Sequence, residues 1–400
     1  MRGKCPMMKK FICSVVGIVL SSGFAMADDV KIGILMGFTG PIESLAPDIA
    51  AGGELAISEV SDSGMLLGGH SVVAVRGDST CVDAAAATAA AERLVTSDGV
   101  AAINGANCSG VTTAVLNNVV LPNGIVMISP SATTPALSTA EDNGLFFRTA
   151  PSDARQGQVM ANILGSRGIT SVAVTYTNND YGKGLADSFQ SAYSGAGGEI
   201  TTSVSHEDGK ADYSAEVATL ASAGGEVLVV IGYLDQGGKG VIQASLDNGA
   251  FEAFMLPDGM VGESLTDAFG TDINGSFGTR PGTDSPGATM LSDLAGSSFK
   301  ASGPYAGESY DASALILLAM QSAGSTNSAD FKSHVEKVAN APGEKIYPGE
   351  LAKALKILAD GGEIDYVGAS AVELIGPGES SGSYFEVEVK KGTFEKVANH

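Results

Sequence analysis

Three features of the sequence predict an α/β protein built from two doubly wound units. Strand-like apolar runs alternate with helix-spaced runs from residue 30 onward, and a second alternating set begins near residue 149. The Gly- and Pro-rich stretch 275–287 (GSFGTRPGTDSPG) is then followed by three helical runs that need a sheet to cover. Alternation of this kind indicates parallel sheets covered on both faces. A chain of 400 residues also exceeds the roughly 250–300 residues at which one core stops growing. Its 44% apolar and 17% charged content is that of a folded globular protein.

In the first unit, strands are expected over 30–36 (VKIGILM), 71–75, 100–103, 125–128 and 146–148. Each is a short apolar or β-branched run bounded by turn-forming residues. Helices are expected over 46–60, 82–94 and 111–120, with Ile49, Leu55 and Ile57 at helical spacing in the first. The second unit carries helices over 153–165, 182–193, 213–223 and 239–246, between strands over 171–176, 200–205, 227–231 and 254–256. After the return crossing, helices over 305–322, 328–339 and 349–358 belong on the first sheet, their natural host. An alternating strand over 384–389 and the turn Lys390-Lys391-Gly392 end the chain.

Residues 1–27 have the pattern of a secretory signal peptide. Arg2, Lys4, Lys9 and Lys10 make a basic start, 11–20 is mostly apolar, and Ala25-Met26-Ala27 fits a cleavage site. The apolar run is too short to span a membrane, and no later run approaches the required length. The sequence leaves Met7 and Met8 open as alternative starts. Cleavage removes four of the 23 basic residues and none of the 45 acidic ones, which takes the net charge from −22 to −26. Such a surface repels nucleic acid and anionic lipid. Cleavage also removes Cys5 and Cys13, so Cys81 and Cys108 remain as an even pair in an oxidising compartment, and a disulfide between them is expected.

The stretch Asn104 to Gly110 (NGANCSG) lies between an expected strand and an expected helix. Backbone N–H groups and the positive end of the helix dipole point outward from such a turn, a good seat for a carboxylate or phosphate. Ser109 adds a hydroxyl at the expected N-cap. From this stretch alone, an anion pocket pinned by Cys108 and an ordinary capped turn both stand.

Other chemistry is not in evidence. His70, His206, His334 and His400 are scattered and lack metal-ligand spacing. No Gly-Lys-Ser/Thr phosphate loop occurs, and Gly182-Lys183-Gly184 lacks the third glycine of a dinucleotide fingerprint. Gly378-Glu379-Ser380-Ser381-Gly382 matches the G-x-S-x-G elbow of serine hydrolases, but it sits between two strand-like runs rather than between a strand and a helix. The sequence therefore predicts no catalytic residue, no metal and no cofactor.

Several stretches in a fixed order do carry a resemblance: KIGILMGFTGP, the Cys81/Cys108 pair, NCSG, MISPSATTPALS, FRTAPSDARQG, YTNNDYGKGLAD and FMLPDG. Together they resemble the periplasmic solute-binding proteins of branched-chain amino acid ABC transporters, along most of the mature chain. The resemblance implies a type I periplasmic binding protein fold, two Rossmann-like lobes joined by three crossover strands. It places lobe one at 28–148 plus 276–370 and lobe two at 149–275 plus 371–400, the crossing near 370 being taken from the family alone. It implies a protein that captures an amino acid in the cleft and hands it to an inner-membrane ABC permease; monomer is the default expectation, and the short apolar runs predict no stable membrane insertion.

By the same resemblance, Ser109 and its backbone N–H hold the ligand carboxylate. Ser131 supplies a carbonyl and Thr133 a hydroxyl for the amino group, with Ala132 between them counted among the ligand-binding residues. Tyr181 and Tyr233 close from the second lobe, and Asp258 stands where leucine-type members carry a glutamate for the α-ammonium. Placement of residues 131–134 after a strand, on the same carboxyl edge as Ser109, agrees on physical grounds alone. The side-chain pocket is expected at Leu45, Asn107, Cys108 and Tyr310, with Glu43 near it. Departures from the family are Leu45 for an aromatic, Asn107 for an apolar residue, Asp258 for glutamate, and Asp311 beside Tyr310. They suit a polar or larger ligand side chain better than leucine's. A sensor with the same lobes and an amide- or urea-binding relative are the competing readings.

Overall fold

Apolar runs such as VKIGILM and VLVVI bury nearly every residue, as strands covered on both faces must. The computed structural model describes residues 1–3 and 29–400; the rest of the expected signal peptide lies outside the described residues. The first sheet is begun by β1 (Val30–Met36), β2 (Val72–Asp78), β3 (Ala102–Gly105), β4 (Val126–Ser129) and β5 (Phe146–Pro151). The second is begun by β6 (Ser171–Thr177), β7 (Glu199–His206), β8 (Val227–Ile231), β9 (Phe254–Leu256) and β10 (Phe277–Pro281). Two short strands, β11 (Glu344–Ile346) and β12 (Ile364–Tyr366), pair with each other. The chain ends with β13 (Leu374–Ile375), β14 (Glu379–Ser380), β15 (Tyr384–Lys390) and β16 (Thr393–Asn399).

Each sheet has seven strands, in the orders β13-β14-β5-β4-β3-β1-β2 and β16-β15-β10-β9-β8-β6-β7. The first is parallel from β2 through β14, and the second turns antiparallel at β15. Each lobe packs helices on its sheet. The chain crosses between lobes around Ser152, between Pro281 and Pro286, and between Ser380 and Tyr384. Two of these crossings differ from the expected boundaries. Strand β10 hides inside the Gly/Pro-rich stretch and belongs to the second sheet, and β13 and β14 still belong to the first, which moves the last crossing to about 380. Strands this short carry no legible period, so the crossings were placed too early. The expected helix over 328–339 is broken into three pieces, and β16 and the β11–β12 pair were not foreseen.

The long helix Ala306–Ala323 is buried on almost every side. It lies against helix Ala46–Ser63, and the approach is close because of Gly52, whose added Cβ would stand 2.1 Å from the Ala306 carbonyl oxygen. The Asn104 amide donates to the Ser309 carbonyl (2.9 Å) and to Ser313 Oγ (2.8 Å), tying the end of β3 to this helix. Thus the first residue of NGANCSG is spent on the fold.

Cys81 and Cys108 form a disulfide with Cα atoms 5.2 Å apart and a sequence separation of 27. Closing such a loop is worth about 3–4 kcal/mol. Alkylation of the unreduced, folded protein should therefore leave its mass unchanged, whereas reduction beforehand should add two adducts. Two thiols reactive without reductant would contradict the bridge.

Candidate functional site

Three loops of the first lobe converge at the carboxyl edge of its sheet. Cys108, in extended backbone, is the N-cap of helix Ser109–Val115, and Ser109 is the first helical residue rather than the cap. The Ser109 hydroxyl accepts the backbone N–H groups of Thr133 (3.2 Å) and Thr134 (3.1 Å). Both its lone pairs are thereby used, and its proton has no acceptor among the described residues. Ser131 Oγ donates to the Asn107 carbonyl (2.8 Å), so the NCSG and SATTP turns are stitched together from both sides. The disulfide adds the loop after β2 to the pair.

Arg148 holds the SATTP turn from beneath. It is 1% exposed, and its guanidinium donates to the Ala132 and Thr134 carbonyls (3.1 and 3.0 Å) and to Glu379 (2.5 Å). Glu379 is the glutamate of the GESSG pentad, which passes from β14 into β15 without a helix. Its side chain pairs with Arg148, and the neighbouring Ser380 is a strand residue.

The second lobe supplies the opposite wall. Helix Asp180–Gly195 starts at Asn179, whose side chain accepts the Gly182 N–H (3.0 Å), and this places Tyr181 in its first turn. Tyr181 and Tyr233 stack with centroids 5.1 Å apart. Asp258 follows β9 and is 3% exposed. It accepts the Tyr181 hydroxyl (3.0 Å) and, across the cleft, the Tyr305 hydroxyl (2.5 Å). Burial pushes its carboxyl above the usual range, against the opposing donors Tyr305, Gln156 and Tyr181. Asp153, at the start of helix Asp153–Ser166, is wholly buried, and neither of its carboxylate oxygens has a hydrogen-bond partner among the described residues. Burial, and then the charge of Asp258, push it well upward.

These walls enclose a cavity of about 20 Å³, room for a single water-sized sphere. Admission of anything larger requires the lobes to part. Leu45, Asn107, Cys108, Ser109, Ser131, Tyr181, Tyr233 and Asp258 line it, as do Ile42, Ile49 and Tyr305. Ala132 and Thr133 are buried behind this lining; the Thr133 carbonyl accepts the Asp153 N–H (2.8 Å), and its hydroxyl has no partner among the described residues.

Tyr310 is a correction. It points away from the cavity, donates its hydroxyl to Glu59 and accepts the Gly349 N–H (3.3 Å). Tyr305, at a left-handed φ of 64° just before the helix, takes the place assigned to it. Asp311 is structural, accepting the Tyr366 hydroxyl and the Ala369 and Ser370 N–H groups, each at 2.8 Å. Glu43 is exposed. Sequence reasoning missed Tyr305 and Asp153. The first had only its place after Gly303-Pro304 to mark it, and the second reads as an ordinary acid in a helix's first turn.

Residues 29–349 match the family described as periplasmic binding protein. Among curated proteins, the chain is 32% identical to the Leu/Ile/Val-binding protein homolog 3 of Brucella melitensis, over 69% of this chain and 75% of that one. It is 30% identical to the leucine-specific-binding protein of Salmonella typhimurium, over 78% of this chain and 84% of that one. A solved leucine binding protein from Thermotoga maritima superposes with a TM-score of 0.78 at 22% identity, covering 92% of this chain and 98% of that one. That likeness assigns the type I periplasmic binding protein fold, with its two α/β lobes and mostly parallel sheets. The order of the strands, the three crossings, the cleft between the lobes and the match over 29–349 agree, and the chain belongs to the periplasmic binding protein family.

Proposed function

We propose that this protein binds an α-amino acid, branched-chain or more polar, between its two lobes and delivers it to an ABC permease of the inner membrane. The observation that carries this reading is the polarity of the cleft. A free hydroxyl donor and a helix start on the first lobe face a buried carboxylate on the second, 3% exposed and ringed by tyrosines. A zwitterion matches that arrangement at both ends. Ser109 takes the carboxylate; Asp258 takes the α-ammonium, joined by Ser131, Ala132 and Thr133 from the first lobe. Tyr181 and Tyr233 close over the ligand, and Leu45, Asn107 and Cys108 meet its side chain. Capture proceeds by hinge closure across the three crossings. The protein works in the periplasm as a monomer, after removal of residues 1–27, and has no catalytic role. Among the described residues no helix is long and apolar enough to cross a membrane.

Heating the ligand-free protein against a panel of amino acids tests this reading. A ligand at a thousand times its dissociation constant should stabilise by about 4 kcal/mol. A panel with no shift would sink it.

Ser109→Ala should weaken binding by about 1.5–3 kcal/mol, the range for a hydrogen bond to a charged group. It should also lower the stability of the ligand-free protein, because two buried backbone N–H groups lose their acceptor. Calorimetry showing unchanged affinity would put the carboxylate seat elsewhere.

A further inference from the structure

Once the carboxylate and ammonium ends are assigned, the lining left for the ligand's side chain is Ile42, Leu45, Ile49, Asn107, Cys108 and Tyr305. The Tyr305 hydroxyl is already given to Asp258, and Asn107 is the other polar side chain among them. Asn107 is 3% exposed, and the orientation of its amide is settled by its neighbours. The Gly37 backbone N–H can only donate, and it lies 3.0 Å from the atom that must therefore be Oδ1. The Ser79 hydroxyl stands at 3.5 Å from the same oxygen. That leaves Nδ2, which has no hydrogen-bond partner among the described residues. In a residue that lines the cavity, a buried donor without a partner discriminates: a ligand whose acceptor reaches it satisfies it, and an aliphatic ligand leaves it unpaired.

Resting on the amino-acid reading above, we propose that Asn107 is a specificity-determining residue of this cleft. Its amide N–H selects amino acids whose side chain carries a neutral hydrogen-bond acceptor, a hydroxyl or a carboxamide, over aliphatic isosteres. An anionic side chain is excluded on charge. Among the described residues the lining contains no Lys, Arg or His, and Asp258 with Asp153 behind it makes the cleft acidic. The rest of the subsite remains apolar, so the acceptor sits on a compact side chain with methyl or methylene groups against Ile42, Leu45 and Ile49.

Calorimetric titration of the wild-type protein with two near-isosteric pairs, threonine against valine and asparagine against leucine, tests the proposal without any variant. In each pair that binds measurably, the polar member should bind at least about tenfold more tightly. Asn107→Leu should abolish or invert that preference while retaining binding of the aliphatic member. Equal or inverted affinities in the wild type overturn the proposal and leave the amino-acid reading intact. A preference that persists undiminished in Asn107→Leu overturns the assignment to this residue. Absence of binding by every amino acid overturns both readings together. Should Asn107→Leu fail to fold after losing the Gly37 contact, the wild-type ratios alone decide.

Discussion

Asp258→Asn should lose at least about a hundredfold in amino-acid affinity, roughly 2.7 kcal/mol. The substitution is nearly isosteric and keeps an oxygen for one of the two tyrosine hydroxyls, so it isolates the charge. Closed over a ligand, the cleft leaves little water to solvate an ammonium, and removal of a counter-charge from such a site costs several kcal/mol. Asp258→Glu should lose less, but the carboxylate is already clasped by Tyr181 and Tyr305, so the added methylene has little space. The deaminated acid of the true ligand should bind poorly to the wild type, since it retains the carboxylate and offers Asp258 nothing. The pH dependence has a definite sign. Burial raises the carboxyls of both Asp258 and Asp153, and protonation removes the charge that an ammonium needs. Affinity should accordingly fall with falling pH, beginning above the ordinary aspartate range near about 4. Equal affinity of Asp258→Asn and wild type would make Asp258 a turn residue and remove the main support for amino-acid binding.

Arg148→Met should destabilise the ligand-free protein by about 3–5 kcal/mol, the usual consequence of removing one partner from a buried ion pair. Its guanidinium, 1% exposed, serves Glu379, the Ser138 hydroxyl and two loop carbonyls at once. The loss strips the Ala132 and Thr134 carbonyls together with the carboxylate and should loosen the SATTP turn, so weaker ligand binding is expected alongside. Arg148→Met combined with Glu379→Leu should recover part of the stability, because the stranded charge is then absent. Urea denaturation at neutral pH measures both. A single variant as stable as the wild type would show that Arg148 is dispensable to the loop.

Much of the architecture was legible because it is written in local terms. Near-continuous apolar runs at 30–36, 227–231 and 254–256 mark strands buried on two faces, and the helices between them follow from spacing. Cys81 and Cys108 were paired by elimination, whereas Tyr181, Tyr233 and Asp258 were assigned only through the resemblance to a family, since each taken alone reads as an ordinary packing or turn residue. What the sequence could not decide was which partner each side chain meets across the fold. Tyr310 and Tyr305 are five residues apart in one stretch, yet the first turns to Glu59 while the second crosses the cleft to Asp258. Asp311, an oddity in sequence, is the acceptor that holds residues 366–370 against a buried helix. Asp153 gained its meaning only from burial, and Asn107, placed in the pocket by the resemblance, showed its unpartnered amide N–H only in the fold. Periodicity and turn chemistry act over a few residues and survive in the sequence itself. Hydrogen-bond partners separated by tens to hundreds of positions are set by how the two lobes pack, and only the tertiary structure decides them.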